Sequence, residues 1–250
     1  MSNGDWNLYD SGFSGIPLNT PGVDTQGFTT LSGSWSLRFA STGIGAYANF
    51  VPKSPIEHGF LHGKISTLVE FDAAHTSPNN AGVMCLLNQE DQRAGFGGRG
   101  YAFQMENLFF ARRLRLVELT DGLSVGNGGG PTSTYNLLGT TIGPDWTMGT
   151  AYKLELEYHI EPLYSGVHLI ASFGLAAGSL TTIFNILYNG SAIWMPTISA
   201  GEGIGCFAGT NITIVYMDKT VTTQLKLPIT KLRTDMVAPI IQGSRNITIL

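Results

Sequence analysis

The sequence predicts an all-β, two-sheet antiparallel sandwich, and three observations lead there. Apolar/polar alternation recurs in short runs, each closed by glycine or a polar turn, which is the mark of a half-buried strand. Sustained helical periodicity is almost missing. The runs number around a dozen, more than one open sheet usually holds, so two packed layers are the natural arrangement. The sandwich is assigned to residues 31–219, with an extended N-terminal strap over 1–30 and a C-terminal arm or extension over 220–250.

The strap is rich in Gly, Asn, Pro, Ser and Thr, with Trp6, Tyr9, Phe13 and Phe28 spaced along it as anchors on a surface. Ser34–Ala40 alternates cleanly and sets Trp35, Leu37 and Phe39 on one face. Lys64–Asp72 does the same with Ile65, Thr67, Val69 and Phe71. Ala81–Leu87 is continuously apolar, as in a central strand buried on both faces. Gly98–Glu106 and Arg113–Asp121 follow, the second with Arg113 and Arg115 on one face and Leu114 and Leu116 on the other. Residues 122–149 read as loop, broken by Asn127–Pro131.

Thr150–Glu161 alternates again, setting Glu155, Glu157, His159 and Glu161 opposite Leu154, Leu156 and Tyr158. Val167–Phe173, Thr181–Tyr188 and a short run near Ala192–Met195 are further strands, with Asn189–Gly190 a type I′ hairpin signal. Gly201–Gly209 and Ile212–Met217 close the sandwich. Beyond them Pro228 and Pro239 remove ladder donors, and the loose alternation suits an arm docked on a neighbouring chain, with a strap on its own domain as the alternative.

The order of these strands resembles the second half of the concanavalin A-like (laminin G-like) jelly roll. The Gly100–Phe103 strand, the Leu114–Leu116 element, Trp146 before Tyr152–Leu156, and the late Gly201–Cys206 strand carry the likeness. It implies a jelly-roll sandwich. It also implies that Trp146 packs inside, that calcium is the ion to look for, and that glycosidases of the superfamily carry paired carboxylates on one strand.

Composition narrows the function. Charged residues make up 13% of the chain, about half the usual share, so Ser, Thr, Asn, Gln and Gly must cover the surface. A net charge of −4 and a single basic cluster, Arg112, Arg113 and Arg115, do not suit nucleic acid. That cluster reads as a solvated or interface face. No run approaches eighteen apolar residues, so no membrane helix is expected. The N-terminus lacks the basic and apolar regions of a secretory signal. Cys85 and Cys206 lie in apolar runs and read as buried thiols, with a disulfide as the alternative.

Candidate chemistry is thin. Glu155 and Glu157 have the spacing of a glycosidase pair, but the middle Asp of that motif is missing and an outer polar face explains them. Glu118 with Asp121 reads as a strand-to-turn junction. His58 and His62 stand four apart in β-prone, glycine-rich sequence, which denies them the helix a zinc pair needs. No metal site is therefore expected; for calcium, Asp72, Asn79, Asn80 and Asp121 are eligible in type alone. Gly95–Gly100 precedes a strand, so it is a turn and not a phosphate loop.

The sequence thus points to a non-enzymatic protein working through surfaces. The leading expectation is a bacteriophage virion component, such as a head decoration, tail or fibre subunit, forming a homo-oligomer with other virion proteins and made in the host cytoplasm. Leu225, Leu227, Ile229, Leu232, Ile240 and Ile241 are its candidate subunit contacts. The alternative is a carbohydrate-binding, lectin-like module for host-surface glycans, with Tyr135, Trp146 and Trp194 as the aromatic platforms.

Overall fold

The computed structural model describes residues 6–10, 37–41, 46–52, 62–74, 79–87, 100–108, 111–119, 135–143, 145–161, 166–189, 203–210 and 213–225. They form thirteen antiparallel strands in two sheets. The strands are β1 (Trp6–Asp10), β2 (Leu37–Ser41), β3 (Ala46–Pro52), β4 (His62–Phe71), β5 (Asn79–Leu87), β6 (Gly100–Leu108) and β7 (Ala111–Leu119). They continue as β8 (Tyr135–Thr140), β9 (Tyr152–Glu161), β10 (Gly166–Leu175), β11 (Thr181–Tyr188), β12 (Gly203–Thr210) and β13 (Thr213–Gln224). The seven-stranded sheet runs β1-β3-β12-β5-β6-β7-β8, and the six-stranded sheet runs β11-β10-β9-β4-β13-β2. The β-sandwich expectation holds.

Alternation decides which side chains meet between the sheets. Ile65, Val69 and Phe71 of β4, Leu154, Leu156 and Tyr158 of β9, and Leu169 and Ala171 of β10 line the inner face of the six-stranded sheet, all fully buried. Val83, Phe103, Met105, Leu114 and Leu116 answer them from the other sheet. Each of the larger aliphatic and phenylalanine side chains among them contributes about 1.5–3 kcal/mol through burial of apolar surface. Aromatic pairs bind the layers: Phe103 meets Phe184 edge-on at 6.2 Å, and Tyr101 meets Tyr188 edge-on at 6.2 Å.

Two local devices set the shape of the seven-stranded sheet. A Cβ on Gly82 would lie 2.1 Å from the carbonyl oxygen of Phe103, so only glycine lets β5 and β6 approach this closely. Leu86 has φ 53°, in the left-handed region, where the register between β5 and β12 slips. That bulge lets Cys85 and Leu86 both join the core, where strict alternation would send one outward. Cys85 is a free, buried thiol; burial pushes its pKa well up.

The expected element boundaries shift in three places. β1 lies within the expected strap and pairs with β3 as an edge strand. β8 lies inside the stretch read as loop: Tyr135–Thr140 lacks alternation and pairs on one side only, with a bulge at Leu116/Val117. β13 crosses the expected boundary at 219 and continues to Gln224, pairing Val221 with Ser66 and Gln224 with Gly63 after a bulge. Leu225 N then donates to His62 O at 3.0 Å, so the first residue of the expected arm contacts lies along this chain's own sheet. Leu227, Ile229, Leu232, Ile240 and Ile241 fall outside the described residues.

Candidate functional site

Across β5, β6 and β7 the outer face of the seven-stranded sheet is polar, and Asn80, Gln104, Glu106 and Arg115 on it are buried. Alternation carries Tyr101, Phe103 and Met105 inward, so Ala102, Gln104 and Glu106 of β6 face out. On β7 the outward residues are Arg113, Arg115 and Val117. Register then sets Glu106 between Asn80 and Arg113, and Gln104 between Gly82 and Arg115.

Both guanidiniums converge on one carboxylate. Arg113 Nε donates to Glu106 Oε2 at 2.9 Å, and Arg115 Nη1 donates to Oε1 at 2.6 Å. Glu106 is 1% exposed and Arg115 5%, whereas the Arg113 side chain keeps 30% and opens the cluster to solvent. Burying a carboxylate is tolerated only because charge-assisted bonds replace its water. Gln104 is 2% exposed, and its Oε1 accepts no hydrogen bond among the described residues, an acceptor held out of water and unused. Of this cluster Arg113 presents charged donors to solvent, while Gln104, Glu106 and Arg115 are closed off from it. Of the solvated or interface face expected for Arg112, Arg113 and Arg115, the solvated reading does not hold at Arg115, which is paired with Glu106 and 5% exposed.

The outer face of the six-stranded sheet is polar but half-exposed. Lys64 Nζ lies 3.3 Å and Lys153 Nζ 3.8 Å from the two oxygens of Glu155. His159 Nε2 lies 2.6 Å from Glu157 Oε1. Alternation places Lys153, Glu155, Glu157 and His159 on one outer face, and they are there. Glu155 is engaged by two lysines and Glu157 by an imidazole, which is the bonding of a solvated polar face. His62 opens strand β4, so the His58 and His62 spacing is not helical; His58 lies outside the described residues.

Glu118 is the penultimate residue of β7, at the strand end where the sequence set it. It points between the sheets, 5% exposed, and accepts from Tyr188 Oη at 2.7 Å and Asn136 Nδ2 at 2.8 Å. Burial and this neighbour raise the pKa values of Tyr188 and Tyr101. Asp121 is outside the described residues.

Trp146 is 3% exposed, stacked on Phe71 at 4.7 Å, and its Nε1 donates to Arg113 O at 3.3 Å. It fills the packing role that the jelly-roll resemblance implies and presents no ring face to a sugar. Tyr135 opens β8 opposite Leu119. Trp194 and Cys206's side chain are outside what is described. Of the calcium candidates, Asp72 accepts from Ala74 N at 2.7 Å in its own turn, and Asn80 is buried in β5. A calcium cage takes six to eight oxygens, carboxylates among them, and the described candidates do not assemble one. Among the described residues no group of three or more His, Cys, Asp or Glu is closed around a common point, and no helix is long and apolar enough to cross a membrane.

No family model matches the sequence, and no curated protein is similar to it. Solved structures are similar in fold. The carbohydrate recognition domain of Emp46p, in a potassium-bound form, aligns with a TM-score of 0.53 over 89% of this chain and 90% of that one, at 9% identity. The exoplasmic/lumenal domain of VIP36, bound to Ca2+ and Man3GlcNAc, aligns with a TM-score of 0.50 over 92% of this chain and 89% of that one, at 10% identity. The fold is thus a legume-lectin-like, concanavalin A-like jelly roll. Neither structure is of a virion component.

Proposed function

We propose that this chain is a non-catalytic carbohydrate-recognition module. The observation that carries the reading is the pre-positioned polar array of Asn80, Gln104, Glu106, Arg113 and Arg115 on one face of a lectin-like sandwich. A polar, buried and rigid set of hydrogen-bonding groups is poorly explained by packing, since apolar residues of similar volume stabilise a sheet at least as well. It is well explained by a ligand rich in hydroxyls. The low charge of the chain suits such a ligand too. The fold neighbours favour this role over assembly into a particle, and they make calcium the ion to include in a test.

A glycan array probed with and without added Ca2+ is the direct experiment, followed by titration of any hit. Binding should weaken at least tenfold in Arg113→Ala, which removes the member of the cluster that keeps 30% exposure and leaves the Arg115–Glu106 pair intact. Silence across the array, or a variant that binds as the parent does, would end the reading.

A further inference from the structure

Three histidines stand in a row across the six-stranded sheet. Register sets His159 of β9 directly opposite His62 of β4 on one side and His168 of β10 on the other. The His62 and His159 rings are 5.5 Å apart between centroids, and those of His159 and His168 are 6.0 Å apart. All three rings are partly exposed.

The hydrogen bonds fix which nitrogen carries the proton. Glu157 Oε1 lies 2.6 Å from His159 Nε2, and an ionised carboxylate only accepts, so His159 donates from Nε2. Asn185 Oδ1 lies 2.6 Å from His168 Nε2, and that oxygen likewise accepts. In their neutral form both imidazoles therefore keep a lone pair on Nδ1. An imidazole whose distal N–H is held by an oxygen, leaving the other nitrogen basic, is the arrangement found in metal-ligating histidines.

We infer that His159 and His168 form an open binding site for a borderline divalent transition metal such as Cu2+, Ni2+ or Zn2+. Both would ligate through Nδ1, with Glu157 and Asn185 orienting the rings and water completing the shell. Two imidazoles sharing one tetrahedral ion place their centroids about 5 Å apart, given metal–nitrogen bonds of about 2.0–2.1 Å. The pair needs to close by about 1 Å from its present 6.0 Å spacing, a small movement for exposed side chains. The row shape also explains why no three ligands surround one point: neighbouring strands supply histidines in line, so one ion takes two of them. Affinity should follow the usual divalent order, with Cu2+ bound more tightly than Ni2+ or Zn2+. The inference is independent of the glycan reading, because it uses the opposite sheet.

The test is titration of the chelator-stripped full chain with Cu2+ and Zn2+ by calorimetry, with electron paramagnetic resonance of the Cu2+ form. Nitrogen hyperfine structure from two imidazoles is the expected signature. His159→Gln or His168→Gln should weaken Cu2+ binding at least tenfold. Glu157→Ala, which releases the ring orientation and removes no ligand, should weaken it about tenfold. Circular dichroism and melting of each variant establish that it is folded, and His168→Ala serves if His168→Gln is not. No binding at submillimolar Cu2+, or undiminished binding in the folded His159→Gln/His168→Gln double variant, would overturn the assignment.

Discussion

The outer faces of the two sheets carry the same kinds of residue and behave oppositely. On the six-stranded sheet, Lys64, Lys153 and Glu155 form ion pairs that water reaches, with side-chain exposures of 31%, 37% and 17%. On the seven-stranded sheet, Glu106 and Arg115 form an ion pair with exposures of 2% and 6%. Coulomb attraction at a given distance is several-fold stronger away from water, and so is the desolvation cost of each charge. One face can lose a partner with little consequence; the other cannot. The difference teaches that strand alternation assigns a residue to a face but leaves open whether that face is wet.

The comparison breaks most visibly at Glu106. Glu106→Ala leaves two guanidiniums at a buried face without their anion, and should cost about 3–5 kcal/mol in urea denaturation. A loss under 1 kcal/mol would mean that the outer face of the seven-stranded sheet is solvated after all. Between the two faces, the interior supplies an intermediate case. Tyr188→Phe removes a hydrogen bond to the buried Glu118 carboxylate, an interaction worth about 1.5–3 kcal/mol when one partner is charged. Because Tyr188 is half-buried, the lower end is expected.

That contribution has a pH signature. The folded state raises the pKa of Tyr188 above its ordinary 10.0, chiefly by burial and then through Glu118. The native state therefore holds this proton more tightly than the unfolded one. The stability gained is present below pH 10 and is lost as pH climbs through the raised value. The gap between parent and Tyr188→Phe should narrow when denaturation is repeated above pH 10; a gap that widens would overturn the account. The smallest effect belongs to the wet face. Glu155→Ala should cost under about 1 kcal/mol and less still in 1 M salt, where screening operates over about 3 Å. An equal effect at both salt concentrations would show that this pair is shielded from solvent.

Much of the architecture was legible. The alternation of Ile65, Val69 and Phe71 against Leu154 and Leu156 reports the inner face directly, because burial selects residue type at every second position. The failures have physical causes. Tyr135–Thr140 is a strand by pairing and not by pattern, since an edge beside a bulge needs no alternation. Arg115 looked solvated because its partner Glu106 sits nine residues away, across a hairpin whose register is invisible until β6 and β7 are aligned. Glu118 stands near the end of its strand as expected, but its inward direction and its partner Tyr188, 70 residues away, are not visible in the local pattern. The histidine row was half-legible: His159 lies two residues before the end of β9 and His168 two after the start of β10, so antiparallel pairing of those ends sets them opposite each other. His62 comes from a distant strand and gave no such sign.

The strand order also dictates a sequence of events during synthesis. β12 lies between β3 and β5, and β13 lies between β4 and β2, so the last described strands occupy inner positions in both sheets. Until β12 leaves the ribosome the β1–β3 pair has nothing to join in one layer, and until the first half of β13 follows, β2 has nothing in the other. The hairpins β6–β7 and β9–β10–β11 can form early from contacts close in sequence. The nascent chain must then hold four open edges, and both layers close only when its C-terminal strands slot into the gaps, a step that non-local pairing makes slow.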